Sequence, residues 1–188
     1  MMEALARTPS NKFLRSNPSS ITITMKASNF RVKKNMSYTR REFMGGIPGS
    51  KIVKFNMGNP NGEFTHTVEL RNRKAGQIRH NALEAARIAA NRTLEPLGRE
   101  NFFLKVVPFP HQVLRHNKRL NVAQADRFQE GMAKAYGKPV GTAARLKMNK
   151  LILIARVDEE HLESAKIALK RAKDKMPVPC RIIVTKNN

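Results

Sequence analysis

Tryptophan is absent from this 188-residue chain, cysteine occurs once, and acids are scarce: 14 Asp and Glu stand against 36 Lys and Arg. A single cysteine, Cys180, excludes an internal disulfide and any cysteine-based zinc site. Aromatic residues make up only 6% of the chain, few for a protein that stacks exposed bases on aromatic platforms. No apolar run approaches the ~18 residues that a membrane span needs. The stretch 21–25 is too short and polar for the core of a signal peptide. The hydrophobic content, 40%, is enough for a modest core.

What is present is positive charge. The formal net charge is +22, whereas a free soluble domain carries a magnitude of ~2–8. Such a chain repels itself unless a polyanion neutralises it. RNA, DNA and an anionic membrane surface are the three candidates. The length fits one domain with an extension, or two small domains.

Residues 1–37 read as a basic arm that contacts RNA. The stretch 1–41 has nine Lys and Arg and one acid, Glu3, with frequent Ser, Asn and Pro. Alone it buries too little surface to offset its ordering entropy. Residues 38–188 read as the globular domain. Within it, 51–55 predicts a strand, residues 59–62 a turn, and 64–70 a second strand with period-two alternation, together a hairpin. Residues 77–95 predict a helix rich in alanine, closed by Pro96 and Gly98. Its stripe of Ala82, Ala85, Ala86 and Ala89 would allow close approach to a sheet. Residues 101–107 predict a strand. A long basic loop follows over about 110–147, with a short helix at 126–136 inside it; long loops of this kind are usually functional. Residues 151–157 predict a strand, Asp158 a helix N-cap, and 162–176 a helix; residues 181–185 predict a last strand. The class is α+β: a mostly antiparallel sheet with two helices packed on one face.

Catalytic chemistry has no visible site. None of the five histidines pairs with another at metal-ligand spacing. The cluster Asp158, Glu159 and Glu160 suits the positive end of a helix dipole better than general acid–base work. Cys180 reads as a buried thiol. No dinucleotide fingerprint, Walker A loop or nucleophile elbow occurs. The chain is therefore expected to be no enzyme and to need no cofactor and no metal.

Several segments, in order, resemble one family. They are Tyr38-Thr39-Arg40-Arg41-Glu42-Phe43, Gly46-Ile47-Pro48-Gly49-Ser50-Lys51-Ile52-Val53 and Phe55-Asn56-Met57-Gly58-Asn59. The 77–87 stretch, Pro110-His111-Gln112-Val113-Leu114-Arg115, Ala125-Asp126-Arg127 and the 137–145 stretch complete the set. The sequence is similar to archaeal L-ten-e, the large-subunit ribosomal family whose bacterial counterpart is L-sixteen. That resemblance implies an α/β-hammerhead fold and a cytoplasmic place in the ribosome. It implies rRNA contacts near the central protuberance, with neighbouring ribosomal proteins and aminoacyl-site tRNA as further partners. Membrane and DNA are not expected partners. Two departures stand out: Asn121-Val122-Ala123-Gln124 replaces a glycine-rich run, and the arm is longer than the family's.

On physical grounds, Arg and Lys neutralise phosphates and release counterions. The candidate RNA-binding residues are Arg40, Arg41, Arg79, His80, Arg87, Arg115, Lys118, Arg119, Arg127, Lys138 and Arg145. Gly137 and Gly141 either bring backbone N–H groups up to phosphates or serve positive φ. A DNA-binding module and an RNA-modifying enzyme are the competing readings. The first would need a recognition helix less rich in alanine than 77–95; the second would need a cofactor pocket.

Overall fold

The computed structural model describes residues 26–33, 39–117 and 137–187. Eight strands and two helices follow one another in that part of the chain. They are β1 (Asn56–Gly58), β2 (His66–Asn72), β3 (Gly76–Arg79), α1 (His80–Leu94), β4 (Phe102–Val106), β5 (Gln112–His116), β6 (Lys138–Leu146), β7 (Leu151–Val157), α2 (Leu162–Lys173) and β8 (Cys180–Lys186). The expected α+β class holds, but the strands form two sheets. One has five strands in the order β1-β4-β7-β2-β8, the other three in the order β3-β6-β5. Every strand pair is antiparallel.

The five-stranded sheet carries the core on one face. Alternation along β2 buries His66, Val68, Leu70 and Asn72 and turns the residues between them outward. Register then lines up Val68 with Ala155 of β7, and Ala155 with Leu104 of β4. All three have no exposed surface. Leu70, Leu153 and Val106 make the next row. Both helices lie on this face and pack against each other. Small side chains let them approach: Ala86 and Ala90 of α1, and Ala165, Ala168 and Ala172 of α2, are all fully buried. The buried side of α1 is completed by His80, Leu83 and Leu94. The alanine stripe expected at positions 82, 85, 86 and 89 is therefore displaced, with Ala85 exposed and Ala82 and Ala89 half-buried.

Several local expectations are corrected. Strands β1 and β2 form no hairpin, because β1 pairs with β4, Met57 opposite Leu104. Residues 51–55 lie outside the strand, although the Phe55 carbonyl accepts from the Val106 N–H at 2.8 Å. Residues 77–79 belong to β3, not to the helix, since Gln77 pairs with Arg145 and Ile78 with Ala144. Both ends of the expected 110–147 loop are strands, β5 and β6, paired from Gln112–Ala143 to His116–Lys138. Gly141, one of the two glycines singled out, therefore lies within β6, and Gly137 just before it. The helix expected at 126–136 lies outside the described residues. Asp158 occupies a cap position before a 3-10 turn, Glu159–His161, but makes no capping bond. Its carboxylate accepts from the Thr65 N–H at 3.3 Å instead, tying α2's entry to β2.

Asn72 shows how a buried polar group fixes a turn. Its amide donates to the carbonyls of Lys74 and Lys147, each at 2.7 Å. Its backbone N–H reaches the Lys150 carbonyl, and its own carbonyl accepts from the Asn149 N–H. The β6–β7 turn is thereby pinned to the end of β2. Asn149 adopts a left-handed φ of 60°, which asparagine tolerates. Cys180 is buried and donates to the Val178 carbonyl; burial pushes its thiol up to about 11, as for an inert core residue.

Candidate RNA-binding surface

The smaller sheet gathers cations. β3 contributes Arg79, β5 contributes Arg115, and β6 contributes Lys138 and Arg145, while none of the three strands contains an acid. Arg115 pairs opposite Pro139 and His116 opposite Lys138, so Arg115 and Lys138 lie on adjacent rungs where β5 and β6 leave the sheet, on opposite faces of it. Arg145 and Arg79 lie at the other end. Arg145 Nε donates to Gln77 Oε1 at 3.1 Å. Gln77 in turn donates through Nε2 to the Phe30 carbonyl at 3.0 Å, and its backbone N–H reaches the Arg31 carbonyl at 2.9 Å. Arg79 packs its guanidinium 5.9 Å from the centre of the Phe30 ring and donates to Asn81 Oδ1. Residues 26–33 thus run along the edge of β3, with Gln77 joining them to Arg145.

Other candidates sit elsewhere. Arg41 lies in an exposed 3-10 turn, Arg41–Phe43, and the Arg40 guanidinium stands 5.6 Å from the Phe43 ring centre. Arg87 is held away from the smaller sheet. It grips Glu84 with two bonds, 2.6 and 2.8 Å, and directs a third N–H to the Met57 sulfur. The bond to Glu84, within α1, raises its already high pKa, and the contact to Met57 reaches across to β1. His80 is 8% exposed. Its Nδ1 accepts from the Lys51 N–H at 3.0 Å, which ties the 45–51 segment to the start of α1. Burial first, then the charges of Arg79 and Lys51, hold its imidazole below the usual range. Lys118, Arg119 and Arg127 lie outside the described residues.

Gln77 and Phe30 escaped the sequence reading. Neither carries charge, and their contacts join parts of the chain 47 residues apart. Among the described residues no group of His, Cys, Asp or Glu could hold a metal ion, and no helix is long and apolar enough to cross a membrane.

Residues 33–183 match the family described as ribosomal protein L16p/L10e. The chain belongs to this family. Relatives named large ribosomal subunit protein uL16 are similar to it over most of its length. That of Staphylothermus marinus is 53% identical over 78% of this chain and 84% of its own length. That of Thermoplasma volcanium is 50% identical over 80% and 86%. That of Sulfolobus acidocaldarius is 49% identical over 81% and 88%. As an L16p/L10e protein the chain is a structural component of the ribosome and not an enzyme. The match starts at residue 33, so the arm's first 32 residues stand outside it.

Proposed function

We propose that this chain is a constituent of the large ribosomal subunit that binds and orders rRNA near the central protuberance, beside aminoacyl-site tRNA. The observation that carries the rRNA part is the acid-free smaller sheet with Arg79, Arg115, Lys138 and Arg145. Arginine offers a planar fork to phosphate and lysine a point charge. A-form RNA hides its base edges in a deep groove, so such a surface reads backbone shape and junctions. Arg40, Arg41 and the cations at 118, 119 and 127 would extend the contact on either side. His80 and Arg87, bonded to Lys51 and Glu84, would contribute from outside the smaller sheet. The relatives' names supply the large subunit. The position near the protuberance and tRNA rests on family resemblance.

The test has two parts. Ribosomes are sedimented in high salt, and the fractions are analysed by mass spectrometry. One copy of the chain per large subunit is expected; loss into the free fraction would refute the structural role. Filter binding to large-subunit rRNA is then followed against salt. Each phosphate contact contributes roughly 0.7–0.9 to the log–log slope. Arg115→Gln is expected to lower that slope by about one contact without changing selectivity among RNA sequences. An unchanged slope, or equal preference for duplex DNA, would remove the smaller sheet from the interface.

A further inference from the structure

A second surface feature goes beyond phosphate neutralisation. The rings of Phe55 and Phe109 stack with centres 5.6 Å apart at 27°. His111 lies 6.5 Å beyond Phe109 with its ring only 6° out of parallel. Phe109 is 53% exposed, and Val107, two residues before it, and Val53, two before Phe55, are exposed too. A chain with so few aromatic residues thus leaves Phe109, like Phe43, standing in solvent, where it adds little to the core.

The local chain holds these rings still. Pro108 and Pro110, both buried, flank Phe109 and fix the backbone on either side of it. The Phe109 carbonyl accepts from the His111 N–H at 3.1 Å and lies 3.0 Å from His111 Nδ1. Phe55 is anchored through its carbonyl to β4. A flat surface that is already ordered loses little entropy when a ligand lies on it.

The charge around the stack selects the ligand. The two segments that build it, residues 43–62 and 101–117, contain no Asp or Glu. They supply Lys51, Lys54 and Lys105, all exposed, and Lys105 pairs opposite Asn56, next to Phe55. Flat aromatic faces on segments that carry lysines and no acids suit one ligand chemistry: an unpaired nucleobase with its phosphates. We propose that Phe109 and His111, backed by Phe55, form a stacking platform for a single unstacked nucleotide of rRNA. The proposal rests on the rRNA-binding reading above and adds a base contact to it.

Phe109→Leu keeps apolar bulk but removes the flat face, while Phe109→Tyr keeps that face. Both are made in the full chain, and melting curves matching the wild type establish that the exposed site has not disturbed the fold. Affinity for large-subunit rRNA is expected to fall roughly 5- to 100-fold with leucine, the range for losing one base stack, and to stay near wild type with tyrosine. In purified large subunits carrying Phe109→Leu, one unpaired nucleotide should gain reactivity to chemical probing. Wild-type affinity with leucine and an unchanged probing pattern would overturn the platform while leaving phosphate binding intact. Unchanged RNA affinity with loss of a neighbouring protein from the subunit would also overturn it, in favour of a protein contact. If the wild-type chain itself fails to bind rRNA, the parent reading falls and the platform with it.

Discussion

The neck of the 118–136 segment offers a sharp test. Gly137 has a φ of 80° and immediately precedes β6. A Cβ added there would overlap the backbone carbon of His116 and the backbone nitrogen of Asn117, and would lie 2.5 Å from the His116 carbonyl oxygen. These are backbone atoms of the opposite strand, so no side chain can swing aside. Gly137→Ala would force β5 and β6 apart at the His116–Lys138 rung. The left-handed backbone costs about 1–2 kcal/mol for a residue with a Cβ. A lost rung costs about 0.5–1.5 kcal/mol for each hydrogen bond. The sum, roughly 2–4 kcal/mol, converts to a fall in Tm of roughly 4–16 °C for a domain of this size. Differential scanning calorimetry reads it, with Gly49→Ala as control, since no atom lies within 4 Å of a Cβ there and its φ is ordinary. Gly137→Asn separates the two causes: asparagine tolerates the left-handed region, but its Cβ meets the same backbone. Both Gly137 variants are expected to melt early. Rescue by asparagine would show that φ alone matters, and a Gly137→Ala protein melting within about 1 °C of wild type would refute the close-approach argument.

Two further outcomes follow from buried polar groups. The His80 imidazole titrates below its ordinary 6.5, so the unfolded chain binds the proton more tightly than the folded one. Its share of stability is complete above pH ~6.5 and is lost as pH falls through that value toward the folded pKa. Urea midpoints measured from pH 8 to 5 should therefore fall less for His80→Gln than for wild type; parallel curves would mean that His80 is not the group protonated. Asn72→Ala would leave the Lys74 and Lys147 carbonyls without their donor. A loss of about 1–3 kcal/mol in urea unfolding is expected, and a loss below about 0.5 kcal/mol would mean that water replaces the amide at the turn.

The elements legible in the sequence are those whose pattern is local. β2 shows strict alternation because one face is core and the other solvent. β7 and α2 lie close to where apolar spacing places them. The start of α1 was not legible, because Gln77, Ile78 and Arg79 are acceptable helix residues. They become strand through partners 64 to 68 residues away, which no local window contains. β5 was missed for a related reason: Gln112, Val113 and Leu114 are all buried, so the segment lacks the alternation that marks a half-exposed strand. The site divides in the same way. Residue type was enough to name Arg79, Arg115, Lys138 and Arg145 one by one, whereas their meeting on one small sheet depends on pairing. His80 and Arg87, also named by residue type, have partners of their own in Lys51 and Glu84, which charge alone does not disclose.

The arrangement of charge explains how a chain of net charge +22 holds a folded core. The acids cluster where the packing is densest. Glu69 pairs with Arg71 on β2 at 2.7 Å, Glu84 with Arg87 on α1, and Glu163 with Lys166 on α2. Glu95, Glu100, Asp158, Glu159 and Glu160 lie at the ends of the same layer. The helices and the five-stranded sheet therefore carry much of their own neutralisation. An exposed pair such as Glu163–Lys166 contributes little by itself, about 0–1 kcal/mol; together the pairs keep cation–cation repulsion out of the layer that supplies the hydrophobic stability. The smaller sheet carries Arg79, Arg115, Lys138 and Arg145 on strands that contain no acid, apart from that layer. A polyanion bound there would relieve repulsion among them without disturbing the core.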